Sequence, residues 1–88
     1  MDSIITEYTA SCLLCGREAT DTHHLLLGSD RQHADEDGLT IPLCRECHSL
    51  MHNDARILML GRILGQIAWE GKYGDRNDYR KRYKRSFV

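Results

Sequence analysis

Apolar residues between Ile57 and Trp69 recur at helical spacing, with Ile57, Leu60, Leu64, Ile67 and Ala68 on one face and Leu58, Met59 and Ile63 widening it. Asp54 stands at the cap position, so the pattern predicts a helix from there to about residue 70. Gly61 and Gly65 share one side of this helix, where they either permit close backbone approach or simply weaken the helix. A face this broad needs more than one neighbour or a partner, and a homodimer through the helix around 55–69 is one expectation. Upstream, residues 21–27 read as a short strand and 39–41 as its return, which Pro42 is expected to stop. The polar run 28–38, with glycine at both ends, reads as a loop. Residues 45–53 form a helix that stacks His48 and His52 on one side. Residues 1–11 are expected to be a loop or edge segment anchored by Ile4, Ile5 and Tyr8. Gly71 and Gly74 break the helical pattern, and Asp75 followed by Asp78 marks a further helix start.

With 88 residues the chain makes one small domain with a modest core, the size at which metal clips stabilise. The opening residues Met1-Asp2-Ser3-Ile4-Ile5 show neither the basic region nor the apolar run of a signal peptide. The longest apolar segment is interrupted by Arg62 and Gln66 and is too short to cross a bilayer. The expectation is a soluble cytoplasmic protein with no membrane partner. In that compartment four cysteines in two C-x2-C pairs mean zinc, not disulfides. The net charge of -1 hides an asymmetry: residues 1–54 hold ten acidic and three basic side chains, and 55–88 hold three acidic and nine basic. Arg80, Lys81, Arg82, Lys84 and Arg85 suit a phosphate backbone, although a solvated helix face would have the same composition.

The thiols sit in two knuckles, Cys12-Leu13-Leu14-Cys15 and Cys44-Arg45-Glu46-Cys47, and Gly16 stands where the first turn needs an unusual backbone angle. Together they predict a structural four-cysteine Zn2+ site with no coordination position left for substrate. Loss of that zinc is expected to unfold the domain. His23, His24, His48 and His52 form a second group. Neighbours on a strand point to opposite faces, so one of His23 and His24 can ligate an ion while the other serves as a base nearby. His33, alone in the polar run, reads as a surface residue.

The order Cys-x2-Cys, His-His, a loop, then Leu-Cys-x2-Cys-His-x3-His resembles the HNH endonuclease family over residues 12–53, roughly half of the chain. The resemblance implies an α+β fold with a ββα-metal (His-Me finger) core, stapled here by four-cysteine zinc as in small phage or prophage proteins of a bacterial host. It divides the chain into a core, 1–53, and a helical extension with a basic tail, 54–88, in one domain. Carried over, His23, His48 and His52 become ligands of one catalytic divalent ion and His24 the general base. The implied activity is hydrolysis of DNA phosphodiester bonds, double-stranded DNA first. Three imidazoles favour Zn2+, Ni2+, Co2+ or Mn2+ over Mg2+. The family's asparagine, nine residues before the first helical histidine, is Leu39 here, leaving Asp37 or the Gly38 turn to hold the hairpin loop. The competing expectation is a non-catalytic zinc-stapled module of phage origin that holds nucleic acid or a host protein through the tail, Tyr79, Tyr83 and Trp69.

Overall fold

The computed structural model describes residues 3–88, so the first two residues of the expected N-terminal loop lie outside the described residues. Strand β1 (Asp21–His24) pairs antiparallel with β2 (Thr40–Leu43), placing His23 opposite Ile41 and His24 opposite Thr40. Helices α1 (Arg31–Asp37), α2 (Arg45–Asn53), α3 (Ala55–Lys72) and α4 (Arg76–Tyr83) complete a small α+β fold. A core of Leu25, Leu26, Leu39, Ile41, Leu43 and Met51 runs under the sheet and meets Trp69, Tyr79 and Tyr83 from the last helices.

The polar run expected to be a loop is helical: one 3-10 turn, Gly28–Asp30, leads into α1, and Gly38 ends it at φ 76°. Only Ala34 of α1 is buried, so the segment lacks the apolar stripe that hydropathy detects. Tertiary bonds hold it instead. Oδ2 of Asp37 accepts from Trp69 Nε1 (2.8 Å), Arg82 Nε (2.6 Å) and the Tyr83 hydroxyl (2.6 Å), and the Asp37 carbonyl accepts from the Tyr73 hydroxyl. Asp37 thereby ties the hairpin connection to α3 and α4, while Leu39 packs fully buried beside it.

Pro42 does not stop β2; it pairs opposite Thr22 inside the strand. Its carbonyl accepts from Leu13 N–H (2.9 Å) on the outer side of the two-stranded sheet, the side to which its donor-less nitrogen also points. Asp54 caps α3 by accepting from the N–H groups of Arg56 and Ile57, and Asp75 and Asp78 make a reciprocal capping box on α4.

The packing face of α3 differs from the expected one. Its buried residues are Gly61, Gly65, Gln66 and Trp69, whereas Leu60 is 63% exposed and Ile67 57%. A Cβ on Gly65 would stand 3.3 Å from Leu25 Cβ, so the helix backbone itself lies against the residue that follows β1. Gln66 is fully buried and fixes the C-terminal segment: its amide nitrogen donates to Glu70 and Ser86, and its oxygen accepts from Phe87 N–H. At the other end, Ile4 and Ile5 pack on the core as expected, but Tyr8 is exposed and anchors nothing. Among the described residues, no helix is long and apolar enough to cross a membrane.

Candidate metal centre

Two ligand clusters share helix α2. The ligating atoms of Cys12, Cys15, Cys44 and Cys47 all lie within 4.8 Å of one another. The first knuckle is shaped by Cys12 N–H donating to the Arg17 carbonyl and Gly16 N–H to the Cys12 carbonyl, with Gly16 at φ 79°. Cys44 stands at the N-cap of α2 and Cys47 in its first turn. Cys15 and Cys44 bring their sulfurs to 3.6 Å. A zinc–sulfur distance of about 2.3 Å makes a tetrahedral edge of about 3.8 Å, so the four cysteines fit a metal ion such as zinc.

The thiols sit in unlike surroundings. Burial pushes the Cys12 thiol up, but the backbone N–H groups of Cys44, Cys15 and Leu14 outweigh it and bring its pKa down to about 6. Cys47, hydrogen-bonded to the Cys44 sulfur and desolvated, is pushed up to about 12.

His48 follows Cys47 directly, and with His52 it forms the second cluster, completed by His23 from β1. The ring centroids of His23 lie 5.2 Å from His48 and 5.1 Å from His52. His48 and His52 bring their Nε2 atoms to 3.1 Å. For a zinc–nitrogen distance of about 2.0–2.1 Å the tetrahedral edge is about 3.3–3.4 Å, so the three imidazoles also match an ion's ligand set. His23 supports the match: it is 1% exposed, and among the described residues neither of its ring nitrogens has a hydrogen-bond partner. Burial, reinforced by His48 and His52, lowers its pKa to about 4 and keeps the ring in the neutral form that ligates. Asp21 Oδ2 holds His48 Nδ1 at 3.0 Å, and that hydrogen bond keeps the Asp21 carboxyl below its ordinary range. Nδ1 of His48 is thus tied back and Nε2 faces the cluster.

His24 points away from this trio toward α1. Its Nε2 lies 3.0 Å from Asp35 Oδ1, and its Nδ1 accepts from Arg31 Nε at 3.4 Å. Because Arg31 can only donate, Nδ1 carries the lone pair and Nε2 the proton. The three histidines floor a cavity of about 240 Å³ walled by Thr22, His24, Leu27 and Arg31.

All eight residues expected to form the two sites thus converge on them: four thiols in one, three imidazoles in the other, and His24 beside the latter. Asp21, Arg31 and Asp35 were not anticipated. Asp21 shares the strand face of His23 by the two-residue period, a legible signal. Arg31 and Asp35 sit four apart on a helix that the polar run concealed.

The tail divides. Arg82 pairs with Asp37 and Glu36, and Arg85 with Asp30, while among the described residues Arg80, Lys81 and Lys84 have no ion-pair partner. Tyr79, Tyr83 and Trp69 are buried and pack on one another, so they offer no stacking surface for nucleic acid. His33 lies edge-on to the Tyr83 ring, beside Glu36.

A protein-family model described as "Protein of unknown function (DUF968)" matches residues 7–86, a span that holds both clusters and α4. No curated protein and no solved structure matches the chain. The chain belongs to the DUF968 family.

Proposed function

We propose that this chain is a metal-dependent HNH-type endonuclease that hydrolyses DNA phosphodiester bonds, built on a ββα-metal core formed by β1, β2 and α2. The observation that carries the reading is His23, buried with two unpartnered ring nitrogens against His48 and His52, with a fourth histidine on the wall of the same cavity. DNA as substrate, and a phage or prophage origin in a bacterial cytoplasm, follow from the resemblance. Exposed Arg80, Lys81 and Lys84 supply charge for the backbone.

His23, His48 and His52 would hold one divalent ion, which when bound supplies a positive charge to the scissile phosphate and its leaving oxygen. His24 takes the proton of the attacking water at Nδ1, the nitrogen that carries the lone pair. Asp35, accepting from Nε2–H, holds the ring in that tautomer and steadies the imidazolium that forms. Asp21 keeps His48 aimed at the cavity. The Cys12, Cys15, Cys44 and Cys47 cluster sets the start of α2 and takes no part in the chemistry.

Plasmid cleavage by the folded, zinc-loaded protein, with magnesium, manganese, nickel and zinc added in turn, tests the reading. Metal-dependent nicking or linearisation is expected, and His24→Ala should reduce it by about 10²–10⁴-fold while folding and metal uptake persist. No cleavage with any of these metals would sink the nuclease and leave a binding module.

A further inference from the structure

Arg31 occupies a position that the mechanism above does not use. It is exposed on the first turn of α1, and its guanidinium reaches across the cavity mouth to His24. His24 and Arg31 also line a second, more open hollow of about 470 Å³, so the pair forms the saddle between two depressions. Among the described residues Arg31 makes no ion pair: the nearby carboxylate of Asp35 is turned to His24 instead. Its one side-chain bond, to Nδ1 of His24, is 3.4 Å long, beyond the usual N–H donor range of about 2.7–3.2 Å. This bond nevertheless covers the only lone pair on the ring, because Nε2–H is given to Asp35.

We infer that Arg31 is the phosphate-binding residue of this cavity and that it masks His24 until a phosphodiester arrives. A guanidinium held by one long bond to an uncharged acceptor exchanges it readily for a phosphate oxygen, which offers a full opposite charge and the usual shorter bond of an ionised pair. The planar fork suits two oxygens of one phosphate. As Arg31 turns to the substrate, Nδ1 of His24 is left open to a water molecule. When that water's oxygen bonds to phosphorus, its proton passes to Nδ1 and the P–O bond to the leaving group breaks, the leaving oxygen taking a proton from solvent. The role given to His24 rests on the nuclease reading. The exchange of imidazole for phosphate at Arg31 does not.

The test uses the full zinc-loaded chain with 15N-labelled histidine rings, titrated with dimethyl phosphate as a diester probe. In the native protein the His24 Nδ1 resonance should move toward that of an unbonded imidazole nitrogen as the probe saturates. Arg31→Gln should weaken probe binding at least tenfold and abolish the dependence of Nδ1 on the probe, and Arg31→Lys should bind at an intermediate level. In plasmid cleavage Arg31→Gln should raise KM. Equal probe binding by native and Arg31→Gln proteins, or a saturated complex in which Nδ1 has not moved, overturns the inference. Cleavage that depends on His24 but keeps its KM in Arg31→Gln overturns it while leaving the nuclease standing. An Arg31-dependent shift of Nδ1 in a protein that cuts nothing supports the phosphate site and removes the nuclease.

Discussion

Asp21 decides which nitrogen of His48 is available. It holds Nδ1 at 3.0 Å, and Nε2 is left facing Nε2 of His52 across 3.1 Å. Replacing the carboxylate by an amide keeps the shape but weakens the hold on the ring. Asp21→Asn should therefore lower metal affinity at the three-histidine cluster by about 10–100-fold, read by chelator competition, and leave the four-thiolate site unchanged. The two clusters that could hold an ion were legible in the sequence, because C-x2-C and H-x3-H spacings carry their geometry with them. Their supports were not equally legible. Asp21 lies two residues from His23 and shares its strand face, but Asp35 and Arg31 reach His24 only through a helix that no apolar periodicity announces. Asp37, which the sequence offers only as a holder of the hairpin loop, also collects Trp69, Arg82 and Tyr83, three residues more than thirty positions downstream.

Helices α2, α3 and α4 were readable because each has a local start signal: the second knuckle, Asp54, and the Asp75–Asp78 box. Which face of α3 packs was not readable. Hydropathy weighs side chains, and the face that packs is made partly of glycine, where the helix backbone itself meets Leu25. Gly65→Leu places a branched side chain where a Cβ alone is already 3.3 Å from Leu25, and should destabilise the protein by about 1–3 kcal/mol in urea unfolding. The larger apolar residues expected to face inward, Leu60 and Ile67, stand in solvent, so the stripe that raised the expectation of a homodimer is real but lies on the outside. Helix α4 belongs to the core through Tyr79 and Tyr83, so removing residues 76–88 would unsettle the fold as well as strip charge.

At the scale of the whole chain, the acidic first half and basic second half meet along a partly exposed seam, where Arg82 joins Asp37 and Glu36 and Arg85 joins Asp30. The same seam buries two of the four tyrosines. Burial, with Asp30 adding to it, raises the Tyr79 pKa above its ordinary 10.0. Burial and the hydrogen bond to Asp37 do the same for Tyr83. A folded pKa above the unfolded one means stability that is complete below pH 10 and is lost as pH rises past it, because only the unfolded chain can then shed those protons. Urea midpoints should therefore fall as pH climbs above 10, and Tyr83→Phe should flatten that decline. Helix α2 has a wider consequence, since Cys47 and His48 are consecutive residues serving different clusters. If both clusters hold ions, ordering that turn for one would prepay part of the entropy the other meets, and any tightening between them would be reciprocal. Under the proposed nuclease reading, the supply of the cation held by the four thiols would then set the sensitivity to the one held by the three imidazoles.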